Sequence, residues 1–324
     1  MARAHACILG AGFVAISAML EGQGFDEDFA MPPAPAWVVF GDAALFAWEP
    51  AAQALRVTWD SRRPNSYFAR PLGTVLNRHD DFLLGFTLVL DQVEVGVNPG
   101  KPYTFELAVG FLNWRDATNA TFLRGTGAAS PNLVEFDYFP DSGYGATIWP
   151  TFVGSDGRWN YNSSEDFTRF ELEAASRHRL EWHYTAADQT LRTRLWKDGA
   201  AAGPVNDVRL APRFTDYTVD TLAVCSYSDQ GAQGSLRARG WLDDIIVRVP
   251  PPPIGTVTGQ FMKGEWQVRF EARTNWVYVL ERSVAWGAWD GVSTGAIEQA
   301  HGPLVLADAV TFDRAFYRVR AQKP

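Results

Sequence analysis

Cysteine is nearly absent from this chain. There are two cysteines; Cys7 lies in an N-terminal apolar run and Cys225 stands alone, so no intramolecular disulfide survives removal of that run. Cys225 sits in Leu222-Ala223-Val224-Cys225-Ser226-Tyr227, a strand-like setting that suits a small buried hydrophobe better than a nucleophile. Histidine is scarce as well, five in all. His178 and His183 stand at the two ends of one strand-like run and point to opposite faces, which excludes joint chelation of a zinc ion. Only four lysines (101, 197, 263 and 323) stand among the 29 basic residues, a bias that GC-rich bacterial codon usage produces. No basic cluster offsets the net charge of -8, which argues against a nucleic-acid partner.

Long apolar runs are missing too. After the N-terminus no segment is apolar enough to span a membrane, and no amphipathic helix of four turns is present. The uncharged run 6–20 follows Arg3, falls short of the roughly 20 residues a span requires, and leads into Gly22-Gln23-Gly24. Residues 1–24 therefore read as a secretory signal, which places the mature protein in the periplasm, on the cell surface or in the medium. There is no Gly-x-Ser-x-Gly elbow, phosphate loop or dinucleotide fingerprint.

What the chain has is aromatic rings, 14% of its residues including 13 Trp, more than solubility alone would favour. They serve either a core or flat platforms for sugar rings. Short alternating runs broken by Gly, Pro, Asn and Asp fill 25–249. Leu55-Arg56-Val57-Thr58-Trp59 is one. Leu180-Glu181-Trp182-His183-Tyr184, turning through Ala187-Asp188-Gln189 into Leu191-Arg192-Thr193-Arg194-Leu195, is a hairpin with Leu180, Trp182 and Tyr184 toward the core. So many strands with no long helix imply an all-β fold, a two-sheet antiparallel sandwich or jelly roll, because an open single sheet would leave one face uncovered. Pro250-Pro251-Pro252-Pro253 marks a linker, 250–255. A second, small β-sandwich domain follows over 256–324, with strands at Trp266-Gln267-Val268-Arg269-Phe270, 276–280 and 315–319.

The most informative segment is Asn132-Leu133-Val134-Glu135-Phe136-Asp137-Tyr138-Phe139. Alternation puts Glu135, Asp137 and Phe139 on one face and Val134, Phe136 and Tyr138 on the other. Two acids side by side suit cation binding, sugar hydroxyls or acid–base chemistry; a solvated outer face is the simpler alternative. Loops on either side would present Arg124 and Tyr144 beside Asn113 and Trp114, the residue types that saccharides select through apolar ring faces and paired hydroxyls. Local packing of Trp114 and Tyr144 is the competing reading. Asn77-Arg78-His79-Asp80-Asp81 reads as an exposed polar turn.

Together these residues resemble the concanavalin A-like lectin/glucanase superfamily over nearly all of 25–249. Val134-Glu135-Phe136-Asp137 is similar to the metal-binding strand of legume lectins. Phe25-Asp26-Glu27-Asp28-Phe29 and Leu242-Asp243-Asp244-Ile245-Ile246-Val247 look like the paired first and last strands, and 103–113, ending Gly110-Phe111-Leu112-Asn113, like the strand before the acidic one. The resemblance implies a calcium site at Glu135, Asp137, Phe139 (through its carbonyl) and Asp141. That set supplies three or four of the six to eight oxygens calcium takes, and the later Asp and His of the lectin pattern have no match; Ala146 and Thr151 stand near their spacings. In the glucanase branch the strand reads Glu-x-Asp-x-(x)-Glu. Glu135 and Asp137 fit its first two positions, but Phe139 and Pro140 stand where the acid/base should be, so proton donation would fall to another acid such as Glu106. The C-terminal segment resembles, in pattern only, small β-sandwich modules that end many secreted bacterial proteins.

The expectation is a secreted, non-catalytic, lectin-like protein with a polysaccharide or glycan as partner. The alternatives are a polysaccharide hydrolase or lyase acting through Glu135, and a structural or adhesive surface protein in which the acidic strand is scaffold.

Overall fold

The computed structural model describes residues 23–97, 105–124, 130–161, 166–229, 234–252, 254–274, 276–284, 288–298, 301–309 and 315–322; the expected signal lies outside them but for its last two residues. Strand makes up 57% and helix 3%, so the chain is all-β. The larger compact unit is Gly24–Val249 and the smaller contains Pro250–Pro324. Among the described residues no helix is long and apolar enough to cross a membrane.

Two antiparallel sheets form the sandwich of the large unit. The nine-stranded sheet runs, edge to edge, Ala200–Ala202, Thr190–Lys197, Arg177–Thr185, Phe82–Val95, Leu236–Val249, Ala54–Asp60 and Phe46–Glu49, with Gln23–Glu27 pairing on Leu236–Val249 and Val208–Arg209 on Thr190–Lys197. The first and last of these strands thus pair, as the resemblance implies, and Arg248 donates to the Phe25 carbonyl at 3.2 Å. The seven-stranded sheet runs Thr168–Arg169, Thr147–Val153, Leu133–Phe139, Leu107–Leu112, Val219–Ser226, Ser66–Leu76 and Val38–Phe40.

Alternating side chains close the space between the sheets. In the hairpin of Arg177–Thr185 with Thr190–Lys197, His178 pairs with Lys197 and Thr185 with Thr190, and Leu180, Trp182 and Tyr184 are buried. Phe136 of the seven-stranded sheet meets Phe86 and Trp182 of the nine-stranded one at ring separations of 5.6 and 6.2 Å. Phe82 stacks on Tyr184 and packs edge-on to Phe111. These tilted and edge-to-face contacts carry the apolar burial that makes the sandwich stable.

The polar turn at 77–81 is not exposed. Asn77 and Asp80 are buried; the Asn77 amide donates to Asp80 and the His79 amide to Asn77. Arg78 donates to Gln189 and the Phe214 carbonyl, while its own carbonyl accepts from Tyr184 and Gln189. A cluster of polar side chains reads as solvated from sequence. Here it satisfies backbone groups where three chain segments meet.

The smaller unit holds two three-stranded sheets, Thr258–Met262, Glu265–Arg273 and His301–Ala309 in one, and Asp290–Gly295, Val277–Ser283 and Phe316–Gln322 in the other. Val268, Phe270, Tyr278, Leu280 and Leu306 are among its buried positions.

Gly110 shows how tightly the site-bearing sheet is built. It lies directly opposite Glu135, and a Cβ there would stand 2.3 Å from the Val134 carbonyl oxygen and 2.6 Å from the Glu135 Cα. Gly110→Ala is expected to destabilise the large unit by about 1–3 kcal/mol, read from urea unfolding; stability equal to the parent would contradict this close approach.

Candidate functional site

The acidic strand, Leu133–Phe139, lies inside the seven-stranded sheet between Leu107–Leu112 and Thr147–Val153. Its alternation is as expected, with Phe136 toward the other sheet. Glu135 and Asp137 therefore point to the outer face, yet both are 0% exposed. The neighbours directly beside them explain how they can be covered. Gly110 stands opposite Glu135 and Ala108 opposite Asp137; Ala223 follows beside Gly110 and Ala69 beside Ala223. Four small residues on one face make a trough, and a chain segment lies across it.

That segment begins where Asn113 caps the single-turn helix Trp114–Ala117, its Oδ1 accepting from the Asp116 amide at 3.2 Å. The Ala117 carbonyl accepts from the Tyr67 hydroxyl, and the Phe122 carbonyl from Asn65. The Phe122 ring lies 6.3 Å from that of Tyr227. These anchors deliver Arg124 to the acids. Its Nε donates to Glu135 at 3.1 Å and one terminal nitrogen to Asp137 at 2.6 Å. The other terminal nitrogen stands 3.4 Å from Glu106. The Tyr227 hydroxyl donates to the second oxygen of Glu135, and the rings of Trp159 and Tyr227 each lie 5.8 Å from the guanidinium carbon. Arg124 and Glu106 are each only 2% exposed.

Three carboxyls and one guanidinium cannot all be charged without water at little cost. Burial is the largest influence on each acid. It pushes Glu106 up to about 8, with Asp137 and Glu135 adding to the rise and Arg124 opposing it. It raises Glu135 to about 7 against the pull of Arg124, and raises Asp137 as well. Burial also opposes the charge of Arg124, but the three acids outweigh it and hold the guanidinium well above its usual range. The Cys225 thiol, pushed up by burial beside Glu135, is an inert neighbour.

The structure therefore brings Glu135, Asp137, Arg124 and Glu106 together and leaves the other expected residues elsewhere. Phe139 is half-buried, its ring 6.4 Å from that of Trp149. Asp141 lies in the following turn, accepting from the Gly143 amide at 2.9 Å. Asn113 is a helix cap, and Trp114 packs edge-on to Phe40 at 6.0 Å. Tyr144, 77% exposed, stands past the opposite end of the acidic strand, whose seven residues span roughly 20 Å. Asn113 and Tyr144 thus do not share one subsite. Among the described residues no three His, Cys, Asp or Glu side chains are placed to hold one metal ion.

One aromatic group was not foreseen. Trp149, opposite Asp137, meets Trp159 at 5.2 Å and Phe167 at 4.4 Å, and Tyr161 lies 6.1 Å from Phe167. Trp159 is half-buried and Tyr161 is 48% exposed. The signal available was Trp159-Asn160-Tyr161, two rings in alternation beside a loop, which resembles ordinary core patterning.

The raised carboxyl pKa values have a measurable sign. Between the ordinary value of 4.5 and about 8, folded Glu106 keeps a proton that the unfolded chain has released, so stability falls as pH rises through that window. Melting temperature is expected to decline from pH 5 to pH 8, and Glu106→Gln to flatten the decline; an unchanged slope in that variant would show that Glu106 titrates normally.

No family model matches the chain, and no curated protein matches it. Among solved structures it is similar to lectin II from Ulex europaeus, at 11% identity over 70% of this chain and 97% of that one, TM-score 0.45. It is similar to the metal-free form of lectin I-B4 from Griffonia simplicifolia, at 12% identity over 70% and 99%, TM-score 0.46. It is also similar to a marine alginate lyase from Aplysia kurodai, at 10% identity over 67% and 91%, TM-score 0.44. Legume lectins and alginate lyases, of the concanavalin A-like jelly-roll fold, are thus among the solved structures that this chain is similar to.

Proposed function

We propose that this is a secreted carbohydrate-binding protein whose large unit recognises a polysaccharide without cleaving it. The observation that supports recognition is the aromatic group of Trp149, Trp159, Phe167 and Tyr161 at the margin of the seven-stranded sheet. Tyr161 and Trp159 keep ring surface accessible while Trp149 and Phe167 hold them in place. Rigid rings of this kind bind the apolar faces of sugars at small entropic cost. Tyr144, exposed on the turn after the acidic strand, extends the surface for a chain-like ligand.

The burial of Glu135 and Asp137 supports the non-catalytic half of the proposal. A hydrolase or lyase must bring a carboxyl or other proton-transfer group within hydrogen-bond reach of the sugar. Glu135 is sealed beneath Arg124 and Tyr227. The same sealing favours a second reading, a structural or adhesive surface protein in which the cluster only secures the sheet.

A panel of soluble glycans separates the readings. One glycan class is expected to bind, with Tyr161→Ala and Trp159→Ala weakening it roughly tenfold or more, about 1.4 kcal/mol, at little change in melting temperature for Tyr161→Ala. No binding across the panel would favour the structural reading. Release of reducing ends or unsaturated sugar, lost in Glu135→Gln, would establish an enzyme and overturn the proposal.

A further inference from the structure

We infer that Arg124 is the resident cation of the acidic strand, standing where the resemblance to legume lectins implies a metal ion, so that the fold is independent of calcium. This inference is separate from the glycan-binding proposal and stands on the geometry of one side chain.

Calcium draws its oxygens to a single point at roughly 2.3–2.6 Å. The acids here are arranged around a plane instead. Three nitrogens of one guanidinium each face a different carboxyl, Nε to Glu135, one terminal nitrogen to Asp137 and the other to Glu106, at 3.1, 2.6 and 3.4 Å. That divergent fork suits guanidinium, whose five N–H donors are fixed in a plane, and suits neither an ammonium nor a spherical ion. Trp159 and Tyr227 supply ring walls 5.8 Å from the guanidinium carbon, a setting that favours arginine further. The fourth expected ligand residue does not converge on the cluster: the Asp141 carboxylate is turned to the Gly143 amide of its own loop. The residues present therefore do not fit a calcium ion.

Two consequences follow from a cation that is part of the chain. It cannot be removed by a chelator. It also ties the segment that covers the sheet, 113–124, to the acidic strand, so charge compensation and coverage of the trough form in the same folding event.

The test begins with the purified protein, analysed for bound metal and melted with EDTA and with millimolar calcium. Substoichiometric calcium and no shift in melting temperature are expected. One calcium per chain, or a melting temperature that falls with EDTA or rises with calcium, would overturn the inference. Arg124→Met is expected to lower the melting temperature by roughly 10 °C, since it leaves buried acids without a counter-charge, with partial recovery in millimolar methylguanidinium. Arg124→Lys should fall between the two, keeping charge but losing the fork. Should Arg124→Met fail to fold, combining it with Glu106→Gln, Glu135→Gln and Asp137→Asn removes the uncompensated charge and is expected to restore a cooperative transition. An Arg124→Met protein as stable as the parent would show that Arg124 is not the compensating cation.

Discussion

Three carboxyls taken out of water on one sheet face need a counter-charge, and the organisation around the acidic strand answers that need. Desolvating an ionised carboxylate costs several kcal/mol even after local relaxation. Glu106, Glu135 and Asp137 share one guanidinium, and the balance is met by retained protons, visible in the raised values of Glu106 and Glu135. The cluster is thus held by electrostatics that depend on the covering segment staying in place.

The packing of the sandwich makes that coverage possible. Phe136, Phe86, Trp182 and their neighbours fill the space between the sheets, which commits the alternate residues Glu135 and Asp137 to the outer face. Gly110, Ala108, Ala223 and Ala69 then leave that face hollow. A hollow lined by backbone and two acids would bind water or a ligand, were it not filled by Phe122 and Arg124 from residues 113–124. What stays open lies at the margin, where Trp159 and Tyr161 rest on Trp149 and Phe167. Accessible rings and buried charge therefore occupy adjacent parts of one sheet face but make different demands, one for contact with solvent and the other for exclusion of water.

Arginine recurs beside several of the acids withdrawn from solvent. Asp60 accepts from Arg62, Glu281 from Arg318 and Arg320, and Asp308 from Arg282 and Tyr317. The shortage of lysine, legible as codon bias, thus has a physical use as well. A planar fork satisfies two oxygens in fixed geometry and is more weakly hydrated than an ammonium, so it is the cheaper cation to bury.

The chain's periodicity determined much by itself. Alternation marked the hairpin of Leu180, Trp182 and Tyr184, the two faces of Leu133–Phe139 and the strands after the prolines, because side-chain direction in a strand follows from local backbone geometry. The same pattern put Glu135 and Asp137 side by side. It could not say whether they met solvent, a metal or another side chain, since burial depends on what crosses the sheet. Arg124 lies 11 and 13 residues before its two hydrogen-bonded partners, in a loop with no periodic signal, and only the path of the chain over Gly110 and Ala108 brings it there. The turn at 77–81 was misread for the same reason: its polar residues serve backbone groups of distant segments, and no local pattern records such partners. Sequence settled which residues share a face; the tertiary structure decided which faces are covered, because desolvation is a property of the whole packed chain.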